Sequence, residues 1–340
     1  MNRRTFVKAA AGAAVAGGVL ARCRPAPPAD EAPRWTPASY RKPERSEIAV
    51  LRADAYDESR LVDVVRRGIG LFDLPVRGRR IVLKPNLVEF DPNGVINTHP
   101  ALIGATIEAF RSLGATDVVV AEGPGHRRDN EYLLAASGLL DVLRDTGSRY
   151  VDLNTDHVRA VRTPTRFSRL GTIWLPATVL DADLFVSMPK LKTHHWAGVT
   201  LSMKNLFGIM PGAVYGWPKN PLHWNGIPES ILDINAALDV PRFNIVDGVV
   251  GMEGDGPIRG DARTSGVLVF GADPVAADAT CARLMRLDPT RVSYLAQADQ
   301  FLGNVRYEAV RDLGEDPLPF AQDYRVIGSF RHLKASAEAG

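Results

Sequence analysis

The sequence predicts an α/β fold built on a mainly parallel sheet, with helices on both faces and a long irregular insertion. Two patterns predict it. From Ser46 onward, short apolar runs alternate with segments of helical periodicity, the order that strand–helix–strand units produce. Polar residues then follow one apolar run after another, as they do beyond the carboxyl ends of parallel strands. With 340 residues, 45% of them hydrophobic, the chain has ample material for one large core.

Taken in order, Ile48–Leu51 reads as the first strand. Leu61, Val62, Val65, Ile69 and Phe72 recur at helical spacing behind it. Arg80–Lys84 is a buried-strand pattern ended by Pro85. A helix over 100–113 carries Pro100 at its start and Gly114 past its end, the asymmetry that helix termini favour. Strands follow at 117–121 and 150–153, with a helix between them over 130–143, and Val158–Leu175 reads as a hairpin. Further strands are predicted at 183–187, 243–246 and 266–270, and helices over 229–238 and 274–285. The stretch 194–228 is the insertion; Trp196, Trp217, His223 and Trp224 make it a folded segment rather than a disordered one.

The N-terminus is set apart by composition. Residues 1–25 contain Arg3, Arg4, Lys8, Arg22 and Arg24 and no acid, which leaves 36 basic against 39 acidic residues in the remainder. That balance gives nucleic-acid binding no compositional support. Arg3-Arg4-Thr5-Phe6-Val7-Lys8 precedes an apolar run, Ala9–Leu20, too short to span a bilayer. The segment resembles a twin-arginine export signal, which implies the twin-arginine machinery as a partner and a periplasmic or extracytoplasmic destination. Leu20-Ala21-Arg22-Cys23 resembles a lipoprotein cleavage box, from which it departs at Arg22; lipidation of Cys23 would be the one route to a membrane. Residues 26–45 read as a Pro-rich linker, 46–330 as the α/β domain and 331–340 as a tail. Cys23 and Cys281 are the two cysteines, so a disulfide framework and a protein-ligated iron–sulfur cluster are not expected.

The chemistry gathers at strand ends. Lys84 and Asn86 follow the second strand, and Glu122 with two glycines follows the third. Lys190, Lys192 and His194 alternate, so an extended backbone puts them on one face. Lys204 and Asn205 follow at the start of a short helix. Four ammonium groups brought together repel unless an anion neutralises them, which points to a small anionic ligand. We assign ligand binding to Lys84, Asn86, Glu122, Lys190, Lys204 and Asn205, and proton transfer to His194 and Lys192. His194 and His195, being adjacent, are expected on opposite faces. Asp247, Glu253 and Asp273 follow later strands among glycines, where carboxylates bind a divalent metal or act as bases; Asp273 alternatively caps the helix after it. No P-loop, dinucleotide fingerprint or Gly-x-Ser-x-Gly elbow is present.

Together, Leu83-Lys-Pro-Asn86, Asn97-Thr-His-Pro100, Glu122-Gly-Pro-Gly125, Pro189-Lys-Leu-Lys-Thr-His194, Lys204-Asn-Leu-Phe-Gly208, Asp247-Gly248, Glu253-Gly-Asp-Gly-Pro257 and Gly271-Ala-Asp-Pro-Val-Ala-Ala-Asp278 resemble the domain of unknown function 362 family over roughly 46–300. Pro189–His194 with Lys204–Gly208 is also similar to the lactate-racemase-like proteins. That second resemblance implies a lysine–histidine set serving a nickel-bearing nucleotide cofactor, so a divalent metal or nucleotide-type cofactor is left open. Two functions fit these residues: an exported isomerase or oxidoreductase acting with a small anion, or a non-catalytic binding or cofactor-delivery protein.

Overall fold

Strand residues alternate between the two faces of the sheet, where they join three apolar clusters. Ile81 and Leu83 pack into one apolar cluster and Val82 into another; Leu268 and Phe270 join the first cluster while Val267 and Val269 face a third. A two-residue period with both faces apolar means a sheet covered on both sides. The computed structural model describes Tyr40, residues 42–125 and residues 129–335. The arginine pair, Cys23, most of the linker, His126 and residues 336–340 lie outside the described residues.

Among the described residues, twelve strands appear in chain order: β1 (Ser46–Arg52), β2 (Arg80–Pro85), β3 (Asp117–Glu122), β4 (Tyr150–Asp152), β5 (Val158–Arg162), β6 (Thr172–Pro176), β7 (Leu184–Met188), β8 (Lys190–His194), β9 (Gly198–Thr200), β10 (Arg242–Asp255), β11 (Arg259–Gly271) and β12 (Val310–Asp312). The main sheet runs β12-β1-β11-β10-β7-β2-β3-β4, with β8 paired to β10 and β9 to β8. β4, β3, β2, β7 and β10 are mutually parallel, as expected; β11 runs against both of its neighbours, β1 and β10. β5 and β6 form the expected antiparallel hairpin apart from the sheet.

Helices Glu58–Gly70, Pro100–Ser112 and Leu139–Thr146 cover one face, and Ile227–Ala237, Pro274–Leu284 and Ser293–Ala298 the other. The chain leaves β2 towards β3 through the first set and leaves β7 towards β10 through the second. Neighbouring strands whose connections part to opposite faces open a crevice at their carboxyl ends, and here that crevice lies between β2 and β7.

Several boundaries differ from expectation. The helix expected over 130–143 breaks at Gly138, which takes φ 78°, into Asn130–Ala136 and Leu139–Thr146. The strands expected at 243–246 and 266–270 are parts of the much longer β10–β11 hairpin. The fold also extends past the expected domain limits. Tyr40 donates to the Ala236 carbonyl and Lys42 pairs with Asp299, while Leu333 is buried in the core.

Asp273 resolves to its structural alternative. Its carboxylate accepts from Val275 N at 2.8 Å and Ala276 N at 3.2 Å, capping Pro274–Leu284, and also from Ser46 Oγ and Asn304 N. Burial pushes its pKa up and these four donors hold it down. No oxygen is left facing a metal partner. Asp273→Ala removes the cap and strands two further donors, so it should cost about 2–4 kcal/mol in urea denaturation.

Candidate functional site

Pro189 interrupts the strand run that begins as β7. β7 pairs with the first residues of β10, and β8 resumes against its later residues, where Asp247 meets Lys190 and Met252 meets Lys192. β8 is extended, as the alternation of Lys190, Lys192 and His194 requires. It ends at His194, and the turn that follows brings the two histidine rings within 4.9 Å, both lining one cavity. The expectation of opposite faces fails because His195 belongs to the turn, not the strand.

At the bottom of the crevice lies a fully buried ion pair. Lys84 Nζ donates to Glu122 Oε2 at 2.6 Å, to Asn205 Oδ1 at 2.9 Å and to the Pro85 carbonyl at 2.9 Å, so all three ammonium protons are taken. Glu122 also accepts from the backbone of Leu87 and Gly123. Asn205 returns its amide to the Lys84 carbonyl and to Ser187 Oγ on β7. Gly208 lies against this pair, and a Cβ there would overlap both Glu122 Oε1 and the Lys84 ammonium. Burial pushes the Lys84 pKa down, and Glu122 opposes that shift.

The short helix Ser202–Asn205 has its own support. Asp278, on the helix Pro274–Leu284, accepts from Ser202 N at 2.7 Å and Met203 N at 3.0 Å. Burial lifts the Asp278 carboxyl to about 7, against those hydrogen bonds. The aspartate therefore fixes the turn that presents Lys204 and Asn205.

Above the pair opens a cavity of about 490 Å³, lined in part by Lys84, Asn86, Glu122, His194, Lys204 and Asn205. Six residues expected to form the site thus share one space. Lys204 Nζ has no hydrogen-bond or ion-pair partner among the described residues; it lies 4.8 Å from the Phe207 ring, and burial pushes its pKa down to about 8. The Oδ1 of Asn86 is buried without a partner. His194 Nδ1 accepts from Trp196 N at 2.9 Å and Ala197 N at 3.2 Å. Burial, then Lys204 and His195, drives its pKa well below the ordinary histidine range, so the ring is neutral with its proton on Nε2.

Two residues of this site escaped the sequence reading. His223 donates from Nδ1 to the Lys219 carbonyl, and burial followed by Lys204 lowers its pKa; its Nε2 is therefore an acceptor. Lys219 adopts φ 65° and donates to the carbonyls of Gly123, Phe207 and Gly208, tying the β3 loop to the insertion. Nothing in the local pattern Trp217-Pro-Lys-Asn-Pro marks a buried ammonium; both roles come from contacts distant along the chain.

Other expected residues lie elsewhere. Lys192 stands behind the cavity, donating to the carbonyls of Ile96 and Pro257. Burial, then Lys190, Lys204 and Lys84, pushes its pKa well below the lysine range. Lys190 pairs with Asp247 at 2.8 Å and accepts no free ligand role: Tyr56 bridges the same two groups, stacked on His99 at 3.7 Å. His99 Nδ1 caps its helix at Ala101 N. Glu253 is bound by the Arg325 side chain and backbone. The structure therefore does not bring Asp247, Glu253 and Asp273 together, and among the described residues no group of three or more His, Cys, Asp or Glu side chains is arranged to hold a metal.

Lys84→Met leaves Glu122 buried without its cation and should cost about 3–5 kcal/mol. The double variant Lys84→Met/Glu122→Gln should cost less than the sum of the single changes, read as a coupling energy from urea denaturation of all four proteins.

A curated protein of Synechocystis sp., named as thylakoid-associated, is 27% identical over 268 residues, covering 74% of this chain and 78% of the relative. Two solved structures align at 15% identity: a Thermotoga maritima protein with a TM-score of 0.44 over 68% of this chain, and the lactate racemase apoprotein of Thermoanaerobacterium thermosaccharolyticum with 0.43 over 72%. The alignment covers 59% of the length of each of those two chains. The family model described as domain of unknown function (DUF362) matches residues 81–283, the span that holds β2, β3, β7, β8 and every cavity residue named above, and the chain belongs to that family.

Proposed function

We propose that this protein is an exported enzyme of isomerase type that holds a small organic anion in the 490 Å³ cavity and moves a proton at a carbon beside a carbonyl group of that anion. One observation carries the reading. Every other lysine among the described residues donates to a carboxylate or carbonyl, whereas Lys204, in the cavity wall, has neither. A half-buried ammonium without a counter-charge is costly, and an anion relieves that cost.

The two neutral imidazoles supply complementary chemistry. His223 offers an Nε2 lone pair to take a proton from carbon. The electron pair left behind moves onto the adjoining carbonyl oxygen, where the Lys204 ammonium and the His194 Nε2–H would face it. Return of the proton to carbon completes an isomerisation or exchange. This assigns His194 a donor's role and replaces Lys192 with His223 as the second proton-transfer residue. The unpartnered donors also suit the phosphate of a nucleotide-type cofactor, which mass spectrometry of the natively purified protein would detect.

Export rests on the Arg3-Arg4 pair and the apolar run behind it. No helix among the described residues is long and apolar enough to cross a membrane, and the proposed membrane contact is a lipid on Cys23. Arg3→Lys/Arg4→Lys should hold the protein in the cytoplasmic fraction on cell fractionation.

Binding should follow the charge of Lys204. Its ammonium form prevails below about pH 8, so the affinity for phenylpyruvate in calorimetric titration should hold at lower pH and weaken as pH rises through that value. Lys204→Met should lower the affinity at least about tenfold and remove the dependence. Incubation with phenylpyruvate in D2O should place deuterium at the carbon beside the carbonyl, followed by NMR, and His223→Gln should slow it about 10²-fold or more. Intact binding without exchange would assign the cavity to capture or delivery instead.

A further inference from the structure

The cavity has an apolar mouth as well as a charged floor. Trp196 is 61% exposed and Trp224 78% exposed, and of the exposed large apolar side chains among the described residues these two line the cavity that holds Lys204. Trp196 stands in the turn after β8, and Trp224 ends the short helix Asn220–Trp224. Neither helps form a core, so the folding energetics give no reason for an indole at either position.

From the mouth an aromatic wall runs inward to the ammonium. The Trp196 ring meets His223 at 5.6 Å, His223 meets Phe207 at 6.0 Å, and the Lys204 ammonium lies 4.8 Å from Phe207. The successive ring contacts are edge-on, at 74° and 88°. Aromatic faces along such a wall favour a flat ring, which stacks or packs edge-to-face at little entropic cost. A purely aliphatic acid would reach Lys204 and leave both indoles in water.

Building on the anion-binding reading above, we infer that the ligand is an aromatic anion: a planar ring carrying a carboxylate or phosphate. Its acid group meets Lys204 beside Asn86 and His194, and its ring lies against Trp196 and Trp224. The ring is thereby a determinant of specificity separate from the charge, because it contacts residues that take no part in fixing Lys204.

Two matched pairs of probes test this by calorimetry on the full chain: phenylpyruvate against pyruvate, and phenyl phosphate against inorganic phosphate. The aromatic member of at least one pair should bind about tenfold or more tightly than its partner. Which pair shows it tells whether the acid group is carboxylate or phosphate. In Trp196→Ala/Trp224→Ala the advantage should shrink to about threefold or less while the small anion's affinity stays as it was. Both indoles are exposed, so circular dichroism should report an unchanged fold. Equal binding within both pairs, still weakened by Lys204→Met, would overturn the aromatic specificity and leave the anion site standing. An aromatic advantage that survives loss of both tryptophans would also overturn it. Failure of all four probes to bind, or binding indifferent to Lys204→Met, would sink the anion site itself.

Discussion

The buried pair of Lys84 and Glu122 is the contact on which the site's architecture depends. Removing two charges from water is expensive, and their attraction offsets this only when every remaining donor and acceptor is satisfied. Here that condition is met by groups from four parts of the chain: β2, the loop after β3, Asn205 in the insertion and, through Asn205, Ser187 on β7. A slip in any of these leaves a charged atom unpaired at the bottom of the crevice. The pair thus holds two neighbouring strand ends and the insertion in one register, and Gly208 is confined to glycine because its backbone rests on it.

The position of the cavity follows from topology before chemistry. β2 and β7 are parallel neighbours whose onward connections go to opposite faces, so no helix closes the space beyond their ends. The insertion fills that space only partly. Its short helices hang on Asp278 at one end and on the Lys219 carbonyl contacts at the other, which leaves Lys204, His194 and His223 around a gap rather than against a packed wall. Backbone in the left-handed region at Lys219 is a conformation that non-glycine residues adopt at a cost of about 1–2 kcal/mol. Three hydrogen bonds from its own ammonium hold it there.

What could be read from the sequence was local. Apolar runs of four or five residues gave the parallel strands, and alternation over Lys190–His194 gave an extended β8, because a period of two is written into adjacent positions. The gathering of Lys84, Asn86, Glu122 and His194 was legible from their places at strand ends, since a parallel sheet sends all such residues to one edge, whereas Lys204 and Asn205 were read at the start of a short helix in the insertion. Partnerships were not legible. Whether Lys190 faces a ligand or an aspartate is decided by Asp247, 57 residues away, and Glu253 meets Arg325 across 72 residues. Lys219 looked like a loop lysine because burial of its ammonium is arranged by carbonyls of Gly123, Phe207 and Gly208. Asp273 likewise matched metal-binding and capping roles in sequence, and its hydrogen bonds select capping.

The same partnerships constrain the ligand's charge. Sequence alone gathers Lys84, Lys190, Lys192 and Lys204 around a small anion, but three of these four donate within the protein, with Glu122 and Asp247 neutralising two. Carbonyls satisfy Lys192 and Lys219, which leaves neither ammonium free for a ligand, and Lys192 adds, after burial, Lys204 and His195, to the lowering of the His194 pKa. A ligand entering the cavity therefore finds one ammonium to contact, within a positive background it does not touch. Contact energy falls steeply with distance in a screened site, whereas a background field mainly sets protonation. The arrangement favours a singly charged group placed at Lys204 over an extended chain of phosphates, and it keeps the imidazoles neutral at the pH where a proton must pass between them and carbon.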